Sequence, residues 1–561
     1  MPDDADSTFI VQARAILDGM LELRPEFATD VGDHRYDDRL TVGTAEYYAQ
    51  ASRWAGERLA DLATIDTGQL SAQNRVDAQI LANHLGRLRF GIDELREHEW
   101  NPMMANPGRA IYLLLARDFA PLAERLNSAA HRLASLPESL AAARTVLAAM
   151  PEVHIETALT QFAGTQQLIT GELAPLAKQA DGANGAEREL SAAIPVAVDA
   201  IGEHVRWLEQ RLADGARDGF RDPRLGAELY AAKLRLVLDT DFTAEEVLAR
   251  AEADLAKVSE EIAAAAAGFG GAANGGDAVR HALDSLSADA PDDTTILGLV
   301  RAAFGEQREF VAEHDLVTVF GDPVEVIEMP EIDRGVAIAY CDAPGVLESA
   351  PLPTFIAVSP TPEGWPAERV RSFYREYNRH MVHNLMIHEA MPGHALQLEH
   401  SRRFAGSTPV RAMLRSGSFV EGWAVYAEQL MGKHGYPGEA NPAAVTMQRL
   451  KMKLRMIINA IMDARVHTAG MTQDQAMAMM TGRGYQEEGE ATAKWRRVLL
   501  TSAQLSTYFV GFTEVSQLAA SLRGAHPGWP ERQLHDAILC HGSPPVRHLR
   551  TLLDAPSHGG G

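Results

Sequence analysis

Cysteine is nearly missing from this sequence. Cys341 and Cys540 are the two in 561 residues, too few for a disulfide framework and too far apart for a thiolate zinc knuckle. Any metal must therefore be held by histidine and carboxylate. Aromatic residues are scarce at 6%, and the chain is rich in alanine runs, which disfavours sheet sandwiches and favours helices. Positive charge is short as well: 52 Lys and Arg stand against 76 Asp and Glu, a formal net charge of −24. Sequence-independent affinity for nucleic acid comes from cations that displace phosphate counterions, so nucleic acid is not an expected partner. Apolar runs such as Ile457 to Met462 fall far short of the roughly 20 residues a membrane-spanning helix needs. The start, Met1-Pro2-Asp3-Asp4-Ala5-Asp6, places acids where a secretory signal carries Lys or Arg, and no apolar block follows. On this pattern a cytoplasmic protein with no membrane contact is expected.

The chain is long enough for two or three domains, or for one large helical body around a cleft. Residues 1–312 read as successive amphipathic helices, a helical wall beside a substrate cleft, broken at Asp181–Gly185 and Gly268–Gly271. Residues 313–365 carry short β-branched runs at 317–320, 324–327, 336–340 and 355–358, bounded by Gly, Pro and Asp, and predict a small β-sheet. Residues 366–556 return to helix, with Met447, Leu450, Leu454, Ile457 and Ile461 spaced as one buried helical face. The tail, 557–561, reads as disordered. No repeat of fixed period is present, which removes solenoids and propellers. The fold expected is mainly α, with the small sheet placed next to an unusual helix. An edge strand there would hold an extended peptide by main-chain hydrogen bonds.

That helix carries His388-Glu389-Ala390-Met391-Pro392-Gly393-His394. It resembles the zincin pattern, in which two histidines bind zinc and the Glu after the first is the general base. Ordinary zincins space the histidines by four residues, about one turn. Six residues at about 100° each leave them some 120° apart, which a regular helix cannot correct. Pro392 offers no N–H to the His388 carbonyl, and Gly393 tolerates distorted backbone, so a bulge that returns His394 to the face of His388 is predicted.

The pattern His-Glu-x-x-Pro-Gly-His-x-x-Gln ending at Gln397, followed by Glu421-Gly422-Trp423-Ala424-Val425-Tyr426-Ala427-Glu428, is similar to a large bacterial family of undefined function whose members are regarded as zinc peptidases. More distantly it resembles the helical metallopeptidases typified by angiotensin-converting enzyme, thimet oligopeptidase and the Taq-type carboxypeptidase. The likeness runs from about Thr354 to Gly511 and more diffusely over the full chain. It implies a zincin-like helical fold and a zinc ion held by His388, His394 and Glu421, the last from a following helix. Many relatives carry a second His directly after the Pro-Gly-His, where this chain has Ala395. Tyr508, in Tyr508-Phe509-Val510-Gly511, resembles a family Tyr-x-x-Gly segment and is the candidate donor to the developing oxyanion. Two imidazoles and one carboxylate leave zinc a fourth position for water, whose proton Glu389 would take. Glu428, two turns beyond Glu421, is placed to orient a ligand histidine.

Plainer readings stand beside these. Ser418-Phe419-Val420-Glu421 is also a capping box, which would occupy Glu421 with its own helix start. His383 is a substitute ligand, His400 and His467 read as surface or hydrogen-bonded, and Asp463, Arg465 and His467 read as an exposed helix end, with Arg465 as a weak candidate for a substrate carboxylate. The function expected is zinc-dependent hydrolysis of short peptides, of carboxypeptidase or oligopeptidase type. The alternatives are a helical metal-binding or scaffold protein without catalysis, and an amide hydrolase of a non-peptide metabolite. Oligomeric state is not legible.

Overall fold

Alanine and leucine at helical spacing produce helix almost throughout. In the computed structural model the described residues are 2–179, 185–269, 276–329, 338–362, 364–437 and 441–554, and they form a mainly helical fold with one three-stranded sheet. The predicted breaks at 181–185 and 268–271 lie largely, and the tail 557–561 wholly, outside them. By packing, the chain forms two units: Met1–Pro223 with Pro344–Leu352, and Arg224–Ala343 with Pro353–Gly561. The texture of the sequence changes at 312, but helices Ala244–Ala266 and Ile296–Glu313 pack on later helices of the second unit.

In the first unit, helix Leu122–Val146 packs along helix Ala186–Asp218. Leu126, Ala129, Leu133, Leu136 and Leu140 bury one stripe at spacings of three and four, and each buried Leu contributes about 1.5–3 kcal/mol. At the edge of that stripe, Arg132 is fully buried. Its charge is tolerated because Nε donates to the Arg39 carbonyl at 2.9 Å and Nη2 to Thr29 Oγ1 at 2.6 Å. The late segment Pro344–Leu352 joins this unit. Leu347 N donates to Val31 O at 2.8 Å, and Glu348 Oε1 lies 2.9 Å from His34 Nε2. A Cβ built on Gly345 would overlap the Val31 and Gly32 backbone, so glycine sets this close approach.

In the second unit the strands are β1 (Val324–Glu328), β2 (Ala339–Asp342) and β3 (Thr354–Val358), in the order β1-β3-β2. β1 runs parallel to β3 with Val326 opposite Ile356, and β2 antiparallel with Cys341 opposite Ile356. The strand expected at 317–320 does not form. Thr318 N donates to Asp536 Oδ1 at 2.9 Å and its carbonyl lies 2.8 Å from His400 Nε2, so side chains take the groups a ladder would use. Of the run 336–340, residues 336–337 lie outside the described residues, and β2 begins at Ala339.

The helices that build the candidate site are α1 (Arg379–Glu389), α2 (His394–Arg402), α3 (Gly417–His434), α4 (Pro442–Ala469), α5 (Glu488–Leu500) and α6 (Thr507–Ala525). In α4 the predicted positions Met447, Leu450, Leu454, Ile457 and Ile461 are buried, and so are polar positions such as Lys451, Asp463 and His467. α4 is therefore a central helix with partners on several faces. Pro442 at its first turn and the Asn441 side chain, which accepts from Ala443 N at 3.1 Å, start it cleanly.

Candidate metal centre

Asn378 caps α1, its Oδ1 accepting from Met381 N at 3.2 Å, and every residue from Met381 to Glu389 is buried. The helix stops at Glu389. Ala390 N and Met391 N both return to the Met386 carbonyl, at 2.9 and 3.2 Å. Pro392 then has no N–H to offer the His388 carbonyl. α2 starts afresh at His394, with Gln397 N donating to Gly393 O at 2.9 Å. The predicted bulge inside one helix is thus replaced by a break between two. A Cβ on Gly393 would overlap the carbonyl oxygens of Ile387 and His388, so glycine alone lets the second helix begin this close to the end of the first. Trp423 Nε1 fixes the turn by donating to Pro392 O at 2.8 Å. The two imidazoles end edge to face, 4.7 Å between centroids and 84° between planes.

Glu421 arrives from α3. The capping-box alternative does not hold. Ser416 is the cap, its Oγ accepting from Phe419 N at 3.3 Å, while Ser418 Oγ donates to the Leu238 carbonyl. Glu421 is free to point at the histidines. Its Oε2 lies 3.4 Å from His388 Nε2 and 3.5 Å from His394 Nε2, and it is an enclosed oxygen with no hydrogen bond. A charge-assisted hydrogen bond would be about 2.7–2.9 Å. Two ligand atoms at about 2.1 Å from a tetrahedral ion stand ~3.4 Å apart. Both Glu421 spacings match an edge of a zinc-sized tetrahedron, and the donor set fits that ion. One side-chain donor atom each of His388, Glu389 and His394 lies within 4.8 Å of the others, so Glu389 stands close to the two imidazoles.

Glu428, one helical face with Glu421, accepts at Oε1 from His388 Nδ1 (2.9 Å) and at Oε2 from Asn384 Nδ2 (2.8 Å). With Nδ1 given to Glu428, Nε2 is the ring atom that faces Glu421 and the one whose lone pair a metal would take. Asn384 was not singled out from the sequence, although its place one turn before His388 was a usable signal. Glu389 Oε2 accepts from the Cys341 amide of β2 at 3.1 Å, which ties the edge strand to this carboxylate.

The electrostatics are those of crowded carboxylates and imidazoles. Burial raises the Glu389 carboxyl by more than the imidazoles of His394 and His388 lower it. Burial also opposes charge on Glu421, but the two facing imidazoles outweigh it and hold its carboxyl well below the usual range. Burial opposes protonation of His388, and Glu421 and Glu428 overcome it, raising the imidazole well above its ordinary value. A divalent cation between these groups would replace the proton they compete to hold.

Tyr508 stands one turn before Gly511 on α6. A Cβ on Gly511 would overlap the Ser418 carbonyl, and one on Gly422 would overlap Gly511. The helices α3 and α6 therefore cross backbone to backbone beside Glu421, and the crossing carries Tyr508 to it. The Tyr508 phenol is raised first by the Glu421 charge and then by burial. Its segment is anchored from α4: Asp463 accepts from Ala503 N (3.1 Å), Ser506 N (3.0 Å) and Ser506 Oγ (2.7 Å), and His467 Nε2 lies 2.9 Å from the Thr501 carbonyl. Asp463 and His467 are thus buried supports, not an exposed helix end. Arg465 alone is partly exposed, paired with Glu252 at 2.6 Å. His383 is buried on α1 outside the clustered group, and His400 is spent on Thr318.

No curated protein matches the chain. Five solved chains match it, and two of them share its fold over nearly the full length. One, described as "a putative lipoprotein of unknown function" from Shewanella oneidensis, is 28% identical, with a TM-score of 0.82 over 97% of this chain and 99% of that one. The other, "the putative lipoprotein from Colwellia psychrerythraea", is 17% identical, with a TM-score of 0.80 over 98% of this chain and 100% of that one. These descriptions overturn the cytoplasmic placement. An acidic start does not decide the compartment, because a compartment address is a short segment separate from the folded body. Among the described residues no helix is long and apolar enough to cross a membrane. A family profile matches residues 25–553, and the chain belongs to that family, the bacterial proteins of unknown function designated DUF885.

Proposed function

We propose that the centre is a zinc site held by His388, His394 and Glu421, and that the protein hydrolyses short peptides in the manner of the zincins it resembles. The observation that carries this reading is the pair of 3.4 and 3.5 Å spacings from an otherwise unpartnered Glu421 oxygen to two Nε2 atoms. Bound zinc supplies a Lewis acid for the scissile carbonyl and a more acidic water. Glu389, held by the Cys341 amide and made more basic by burial, takes the proton of the attacking water. The water oxygen joins the acyl carbon, the C–N bond breaks, and Glu389 passes the proton to the departing amine. Glu428 and Asn384 hold His388 in one tautomer throughout. Tyr508 donates its phenolic proton in a hydrogen bond to the carbonyl oxygen as that oxygen gains charge.

The test is metal content and cleavage of a mixed peptide library, with the purified protein and with Glu389→Gln. One zinc per chain is expected in both, with cleavage lost by at least a hundredfold in the variant. A protein that carries no divalent metal and gains none on titration refutes the site. One that binds zinc and cleaves nothing refutes the hydrolase.

A further inference from the structure

α5 lines up Glu490, Lys494 and Arg497 at spacings of four and three, so the three side chains share one face. Two of them enter a buried charge cluster with α4 and the helix before α1. Lys451 Nζ lies 2.8 Å from Glu376 Oε2. Arg455 pairs closely with Glu490 and lies 3.9 Å from Glu376. Lys494 Nζ is 3.8 Å from Glu490 Oε1, and the Tyr377 hydroxyl donates to Glu490 Oε2 at 3.4 Å. Lys451, Arg455, Lys494 and Arg497 thus give four cationic groups on this stripe against the two carboxylates Glu376 and Glu490. Buried positive charge in excess is costly unless an anion is supplied. Lys494 gives part of the relief itself, since burial and the Arg455 charge bring its ammonium down to about 7.

Arg497 ends the stripe and cannot shed its charge. Among the described residues it has no carboxylate partner. Nη2 donates to Gln504 Oε1 at 3.0 Å and reaches the Tyr508 hydroxyl at 3.5 Å. Its Nε and Nη1 make no hydrogen bond and are not enclosed. The guanidinium, with these two donors free, therefore lies beside the phenol that the α3–α6 crossing brings to Glu421. Nε and Nη1 point to different edges of the guanidinium, and each is free to give a charge-assisted hydrogen bond to a carboxylate oxygen.

Building on the peptidase reading, we propose that Arg497 is the receptor for the free α-carboxylate of the substrate, so that the enzyme removes residues from peptide C-termini. The carboxylate would complete the charge of the α5 stripe. Its seat beside Tyr508 places the last peptide bond, rather than an internal one, at the metal centre. This gives Arg497 the role that the sequence weakly offered to Arg465.

The test separates this inference from the reading it rests on. Binding of tetra-alanine as the free acid and as the C-terminal amide is measured calorimetrically on zinc-loaded Glu389→Gln, which holds peptide without cleaving it. The cleavage products of the wild type are followed by mass spectrometry. Expected are at least tenfold tighter binding of the acid, loss of that preference in Glu389→Gln/Arg497→Gln, partial retention in Glu389→Gln/Arg497→Lys, and release of single C-terminal residues by the wild type. Equal binding of acid and amide, a preference that survives Arg497→Gln, or efficient cleavage of amidated peptides overturns the inference and leaves the peptidase standing. If neither peptide binds and neither is cleaved, both fall.

Discussion

Glu428→Gln isolates a charge at nearly constant shape. The wild-type carboxylate is buried and accepts from His388 Nδ1 at 2.9 Å and Asn384 Nδ2 at 2.8 Å. A glutamine keeps one acceptor for His388 and turns an amide N–H₂ toward Asn384. That amide need not clash, because Asn384 Oδ1 is itself buried without a partner and can accept after a flip of the side chain. Both hydrogen bonds are then rebuilt, and what disappears is the negative charge that makes His388 a stronger donor to a metal. Loss of such a partner costs about 10–100-fold in metal affinity, or about 1.4–2.7 kcal/mol. The assay is competition for zinc against a chelator of known affinity, with circular dichroism to confirm that the helical content is unchanged. An affinity within twofold of the wild type would refute the assignment of Glu428 as the orienting partner.

Two further outcomes follow from local geometry and burial. Gly393→Ala drives a methyl group into two carbonyl oxygens, so it should destabilise the fold by about 1–3 kcal/mol, seen as a lower melting temperature, and weaken zinc binding. Normal values of both would show that the turn is not tight. Glu514, buried on α6 with Thr240 Oγ1 donating to it at 2.6 Å, has a carboxyl that burial pushes up to about 7. The folded chain therefore favours its protonated form. That contribution is fully present below about 4.5 and is lost as pH rises through about 7, an upper bound of about 3 kcal/mol. Glu514→Gln should melt higher than the wild type at pH 8 and show little difference at pH 4.5; a gap that is constant with pH removes the carboxyl as its source.

Much of the site was written locally and was therefore readable. His388, Glu389, Pro392, Gly393 and His394 lie within seven residues, and the chemistry of a proline without a donor and a glycine without a Cβ announces a broken helix. The form of the break was not readable, because choosing between a bulge and a fresh helix start depends on where the Trp423 indole lands. Ser416 and Ser418 show the same limit. Both are competent caps, and the Leu238 carbonyl, 180 residues away, takes the second. The false strand at 317–320 had good β composition, but its partners were the side chains of Asp536 and His400. Asp463 and His467 looked exposed because nothing near them in sequence indicates that the turn at 501–507 folds over them. Spacing reports what a segment can be, and distant donors and acceptors decide among the options.

The placement of Pro344–Leu352 has a practical side. The polypeptide leaves the first unit at 223 and later comes back for this short stretch, so the obvious place to divide the gene is a poor one. A fragment ending at residue 223 would lack the backbone donor that Leu347 gives to Val31 and the Glu348 carboxylate that faces His34. Its half-buried imidazole would keep Asp37 as its remaining carboxylate partner. Anyone expressing the N-terminal half by itself should expect a clasp missing one arm, and supplying residues 344–352 as a separate peptide is the direct way to see whether it closes.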